Sequence, residues 1–83
     1  VERRPVITVR YFAAAAEAAG VDSEQLPAGS AAQVRAAMVG AHGAALDRVL
    51  GRCSLLADGT RVDGDDPVRA GTTLDVLPPF AGG

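Results

Sequence analysis

The groups best suited to chemistry lie at the end of the sequence, in Pro78-Pro79-Phe80-Ala81-Gly82-Gly83. A free carboxyl group on Gly83 has an ordinary pKa of roughly 3.3–3.7 and is an anion at neutral pH. An anion resists nucleophiles, so acyl chemistry there first requires conversion to a mixed anhydride with a good leaving group. Glycine suits the last two positions because, without a Cβ, the chain can thread a narrow active site. Extended, the stretch from Pro79 to Gly83 reaches roughly 16–18 Å, at about 3.3–3.6 Å per residue. The terminus can therefore enter a buried site while a folded body stays outside. Pro78 and Pro79 restrain the base of such a tail, and Phe80 offers an apolar anchor in a partner's groove. Both limit the entropy lost on binding.

The other reactive side chains give weaker signals. Cys53 is the sole cysteine; it reads as a small buried hydrophobe rather than a sulfur relay. His42, near a predicted helix C-terminus, reads as a partner for the helix dipole. Asp58, Asp63, Asp65 and Asp66 fall in turn sequences such as Asp-Gly, which their backbone chemistry explains without a metal. Glu17 reads as helix electrostatics. Arg10, Arg61 and Arg69 read first as a solvated face.

Composition narrows the function classes. Eighty-three residues make one small domain, and a hydrophobic fraction of 48% supplies a modest core. Only 4% of residues are aromatic, with no Trp, so aliphatic residues and Ala fill that core. The net charge is −2 and the only basic run is Arg3-Arg4, which argues against nucleic-acid binding. One Cys and one His are too few for a structural zinc site. No apolar run is long enough to span a bilayer, and no apolar stretch of signal-peptide type follows Arg3-Arg4. A cytoplasmic protein is expected.

Hydrophobic patterning places the elements. Val6 to Phe12 predicts a first strand with Ile7, Val9 and Tyr11 inward, which puts Phe12 on the opposite face with Thr8 and Arg10. Ala13 to Ala19 predicts one or two helical turns stopped by Gly20. Asp22 to Leu26 predicts a brief strand antiparallel to the first, and Pro27-Ala28-Gly29 a turn. Ser30 and Gln33 fit a capping box at the start of the main helix, Ala31 to about His42. Its apolar stripe is Val34, Ala37, Met38 and Ala41, and Gly43 is its stop. Ala44 to Leu50 is expected to add another turn. Strands follow at Arg52–Ala57 and Thr60–Val62 around an Asp58-Gly59 turn, then a turn over residues 63–67. The final strand, Thr73–Leu77, has Leu74 and Val76 inward and Leu77 outward with Asp75. Pro78-Pro79 ends the ladder. One main helix covers one face of a small sheet, so the class is α+β. The uncovered face, carrying Phe12 and Leu77, is the expected partner surface.

Two segments resemble the MoaD/ThiS family of sulfur carriers. Val9-Arg10-Tyr11-Phe12-Ala13-Ala14-Ala15-Ala16-Glu17-Ala18-Ala19-Gly20 is similar to its strand-then-helix pattern, aromatic-Phe-Ala-x-x-Arg-Glu-x-x-Gly. Asp75 to Gly83 resembles its closing strand, double proline and diglycine. The ending is more like that of the small subunit of molybdopterin synthase than that of the thiamine carrier. Ala16 departs from the pattern, standing where the family has arginine, which puts a contact through that position in doubt.

The resemblance implies a ubiquitin-like β-grasp fold: a mixed four- to five-stranded sheet with one main helix packed on one face. It implies a domain over residues 1–77 and a flexible tail over 78–83. It also implies that Gly83, with Gly82 before it, is adenylated by a ubiquitin-activating-type adenylyltransferase using ATP. Sulfur from a persulfide donor then replaces AMP, leaving a thiocarboxylate. This sulfur would be delivered to a pterin precursor within the large subunit of molybdopterin synthase. Phe12, Leu77, Pro78, Pro79, Phe80 and Ala81 are the expected partner contacts. No permanently bound cofactor or metal is expected, and catalysis would belong to the partner. The same tail chemistry fits thiamine or cysteine biosynthesis, or a ubiquitin-like protein modifier.

Overall fold

The computed structural model describes residues 5–79. The chain runs β1 (Val6–Tyr11), α1 (Ala14–Ala19), β2 (Ser23–Pro27), β3 (Gly29–Ser30), α2 (Ala31–His42), α3 (Ala44–Leu50), β4 (Ser54–Ala57), β5 (Thr60–Val62), β6 (Pro67–Val68) and β7 (Thr73–Leu77). Five strands form a mixed sheet in the order β2-β1-β7-β4-β5, and β3 pairs with β6 in a second, two-stranded sheet. β1 and β7 are parallel neighbours at the centre; the other pairs are antiparallel. The class and the five-stranded sheet agree with the sequence reading.

Alternation in the strands sets the core face. Ile7, Val9 and Tyr11 of β1 and Leu74 and Val76 of β7 are at most 3% exposed, and they meet the buried sides of all three helices in one cluster. The helical contribution is larger than the sequence suggested. Ala44–Leu50 is a seven-residue helix, not an added turn, and places Leu46 and Leu50 in the core one turn apart. The stripe on α2 also differs. Ala31, Val34 and Met38 are buried, whereas Ala41 is exposed. The buried row continues through His42, four residues after Met38, instead of Ala41.

Local signals explain the boundaries. Ser30 Oγ accepts from the Gln33 amide at 3.1 Å, while Gln33 Oε1 accepts from the Ser30 amide at 2.9 Å, so the capping box is complete. This satisfies a donor left over at the helix start, an effect of about 1 kcal/mol. Gly20 takes a left-handed conformation (φ 78°) and closes α1 with a hydrogen bond from its amide to the Ala16 carbonyl at 2.8 Å. The short strand β6 begins at Pro67, the last residue of the segment read as a turn, and takes in Val68 beyond it. Pro67 lacks a ladder donor, but Val68 is buried and draws the segment onto β3.

His42 corrects the sequence reading, because its main partner is a side chain on another element. Glu24 Oε2 on β2 accepts from the Tyr11 hydroxyl of β1 and from His42 Nε2 of α2, each at 2.6 Å. The rings of Tyr11 and His42 meet edge to face, with centroids 5.8 Å apart. One carboxylate thus ties two strands to the main helix. Burial, reinforced by the hydrogen bond to Glu24 and its negative charge, raises the Tyr11 pKa well above its ordinary 10.0.

The folded state therefore favours the neutral phenol. Its contribution to stability is complete below pH 10.0 and declines as pH rises from there towards the raised value. The chain has one tyrosine, so its phenolate absorbance reports this group alone. At pH 10.0 the folded protein should show little phenolate, and the band should grow at higher pH together with loss of the circular-dichroism signal. Half-ionisation at pH 10.0 in a fully folded protein would contradict the contact.

Candidate functional site

The parallel register fixes what lies beside what. Arg10 pairs with Asp75 and Tyr11 with Val76, so β1 and β7 finish at the same end of the sheet. Phe12 follows directly, its amide donating to the Val76 carbonyl at 3.3 Å. Phe12 and the Leu77-Pro78-Pro79 segment are thereby neighbours, although they lie more than sixty positions apart in the chain.

Alternation makes the face away from the helices a distinct surface. Thr8 and Arg10 point there from β1, Thr73, Asp75 and Leu77 from β7, and Ser54 and Leu56 from β4, in matched register. Phe12 is 38% exposed. Leu77 and Leu56 are half-buried, and neither joins the core cluster. Phe12 and Leu77 thus stand where the sequence placed them. Leu56 was not anticipated, because Ser54-Leu55-Leu56-Ala57 shows no alternation; only pairing with β7 separates inward Leu55 from outward Leu56.

A charged clamp crosses the middle of this surface. Arg10 donates to both carboxylate oxygens of Asp75, from Nε at 2.7 Å and Nη2 at 2.9 Å. The same guanidinium lies 5.6 Å from the Phe12 ring centroid, within cation–π range. The hydrogen bond to Asp75 and its charge raise the already high pKa of Arg10, so the cation persists. The surface is apolar at Phe12, Leu56 and Leu77, with an ion pair whose charges cancel locally.

At the base of the tail Pro78 is half-buried and Pro79 exposed. Phe80, Ala81, Gly82 and Gly83 lie outside the described residues. Ala16, in place of the family's arginine, is partly buried against the core. Cys53 donates its thiol to the Val49 carbonyl at 3.2 Å, and burial raises its pKa. A protonated, engaged thiol is a poor nucleophile, in keeping with the structural reading of Cys53. Among the described residues no group of His, Cys, Asp and Glu is placed to hold a metal ion, and no helix is long and apolar enough to cross a membrane.

Ala13 makes the strand-to-helix turn that leaves Phe12 outside. Its φ of 51° and ψ of −125° lie in a region that favours glycine. The Ala15 amide donates to the Phe12 carbonyl at 3.0 Å across this turn, and Ala15 is fully buried. The turn thus reverses the chain within three residues, sending Ala15 inward while Phe12 stays exposed.

The model of the ThiS family matches residues 9–83. SAMP1 from Haloferax volcanii is 28% identical over 94% of this chain and 99% of that protein, with a TM-score of 0.81. A putative molybdopterin converting factor subunit 1 from Pyrococcus furiosus is 22% identical over 90% and 98%, with a TM-score of 0.73. A complex of subunits 1 and 2 of the molybdopterin-converting factor from Helicobacter pylori contains a chain 23% identical over 94% and 99%, with a TM-score of 0.69. No curated protein matches the chain. The shared architecture is the ubiquitin-like β-grasp.

A non-glycine residue in the Ala13 conformation stores strain of order 1–3 kcal/mol. Glycine relieves it but adds up to about 1 kcal/mol of unfolded-chain entropy. Ala13→Gly should therefore raise the unfolding free energy by about 1 kcal/mol in denaturant titrations, and Ala13→Val should lower it. A loss of stability in Ala13→Gly would show that the turn is unstrained.

Proposed function

This chain belongs to the ThiS family, whose members are small sulfur carriers and not themselves catalysts, and we propose that Gly83 is the atom-bearing end of such a carrier, serving molybdopterin synthesis. Family members hold sulfur as a C-terminal thiocarboxylate. The observation that carries the proposal is the placement of Phe12, Leu56 and Leu77 on an uncovered sheet face beside the Pro78-Pro79 base. A partner that binds this face is positioned to receive the residues that follow.

The chemistry runs in three balanced steps. A Gly83 carboxylate oxygen attacks the α-phosphorus of ATP in the adenylyltransferase, releasing pyrophosphate and giving an acyl-adenylate. The terminal sulfur of a donor persulfide attacks the acyl carbon, and AMP leaves. A thiol then cleaves the resulting S–S bond, forming a disulfide with the donor and leaving the thiocarboxylate on Gly83. The carrier supplies position and nucleophile; acid–base groups and substrate binding belong to its partners. The tail, residues 78–83, would insert into the large subunit of molybdopterin synthase and deliver sulfur to the pterin precursor. The Pro-Pro-x-x-Gly-Gly ending supports this destination over thiamine or cysteine synthesis.

A second reading, a protein modifier attached through Gly83 to lysines of targets, is favoured by the 28% identity to SAMP1. Both uses share the acyl-adenylate. This sequence contains no lysine, so a modifier of this kind would not extend chains on its own lysines. Each modified target lysine would carry a single copy.

Incubation with ATP, the adenylyltransferase and a persulfide donor should raise the intact mass by the difference between one sulfur and one oxygen. The variant lacking Gly83 should fold normally and stay unmodified. Sulfur loading of that variant, or none of the full chain, would contradict the carrier role. Transfer to a pterin precursor with the large subunit, against lysine-linked adducts in cell extract, separates the two readings.

A further inference from the structure

The base of the tail borders a second surface that the carrier chemistry leaves unused. Ala14 at the start of α1, Val49 on α3, and Pro78 and Pro79 form an apolar groove, flanked by Arg48 and Arg52. The two arginines are four positions apart at the end of α3, where such spacing brings side chains to one side. Gly51 and Arg52 continue the turn, their amides donating to Asp47 and Val49 carbonyls at 3.2 and 3.0 Å. Both arginines are exposed. Among the described residues neither makes an ion pair, whereas Arg10 and Arg35 each have an aspartate within 4.0 Å. The negative end of α3 offsets Arg48 in part, but Arg52 lies beyond it. In a chain of net charge −2, this is a local concentration of positive charge.

We infer that this groove is a docking site for an acidic segment of the activating adenylyltransferase, its carboxylates on Arg48 and Arg52 and an apolar residue between Ala14, Val49 and the prolines. The inference rests on the carrier reading, which puts the reacting carbon on Gly83. From Pro79 to that carbon the extended chain spans roughly 16–18 Å, at about 3.3–3.6 Å per residue. An active centre that loads Gly83 must come within this distance of the groove, so the surface around its entrance faces Arg48 and Arg52. Charge complementarity selects acidic residues there. Such contacts at an interface rim act mainly on association rate and on its salt dependence. The groove is thus a steering element, separate from the apolar face around Phe12, Leu56 and Leu77.

The test is ATP-dependent adenylation of the full chain by the purified adenylyltransferase, with carrier concentration and salt varied. Arg48→Glu/Arg52→Glu should raise KM for the carrier about tenfold or more, a loss of one decade or more in affinity. It should leave kcat unchanged and remove most of the rise of KM with salt. Arg48→Ala/Arg52→Ala should fall between this and the parent. Arg69→Glu makes one such charge reversal before the start of β7, at the opposite end of that strand from Pro78, and should leave KM unaltered. A parent-like KM in the double reversal, with adenylation intact, would overturn the groove assignment and spare the carrier reading. No adenylation of the parent chain at any concentration would overturn the carrier reading itself.

Discussion

The side-by-side, same-direction pairing of β1 with β7 is the constraint on which the site depends. Parallel neighbours cannot be joined by a hairpin, so everything between Tyr11 and Thr73 forms the crossover. That intervening chain supplies the helices, and all of them pack on one side of the sheet. The pairing aligns the exits of the two central strands, so the exposed Phe12 and the double proline share one end. A slip of one residue in β7 would turn Leu77 inward and expose Leu74 and Val76. Core packing and the make-up of the uncovered face are therefore set by one register.

The two sides of the sheet are held by different forces. On the helical side, burial of aliphatic residues dominates. One polar knot, Tyr11–Glu24–His42, is tolerated there because the carboxylate accepts from both neighbours, and no buried side-chain polar atom among the described residues lacks a partner. On the open side, Arg10 and Asp75 neutralise one another across the central strand pair while three apolar side chains remain accessible. A partner meeting this face therefore encounters little uncompensated charge, whereas the groove presents Arg48 and Arg52, which form no ion pair among the described residues. The first suits close apolar contact and the second suits steering.

Much of this was legible in the sequence, for identifiable reasons. Short-range chemistry located α2, because Ser30 and Gln33 form a reciprocal cap and Gly43 supplies the stop. Period-two alternation placed Ile7, Val9, Tyr11, Leu74 and Val76 inward and Phe12 and Leu77 outward. What failed to show depended on distant partners. Leu56 sits in an unalternating run and takes its direction from β7. His42 was assigned to its own helix end because Glu24, eighteen residues earlier, gives no local sign of reaching it. Val68 forms a strand only because β3 is there to pair with it. Arg48 and Arg52 border the tail only through the fold, which sets Pro78 and Pro79 beside them. The terminal diglycine was recognised from its motif alone.

The central claim is that Phe12, just after β1, with Leu56 of β4 and Leu77 of β7 on the same face, meets the partner that takes up the tail. Hydroxyl-radical footprinting of the full chain, with and without the adenylyltransferase and ATP, tests it most directly because labelling reads side-chain accessibility. The account predicts that these three residues lose reactivity together on complex formation while exposed Val21, in the loop after α1, stays labelled. Unchanged labelling of Phe12, Leu56 and Leu77 in a complex that adenylates Gly83 would contradict it.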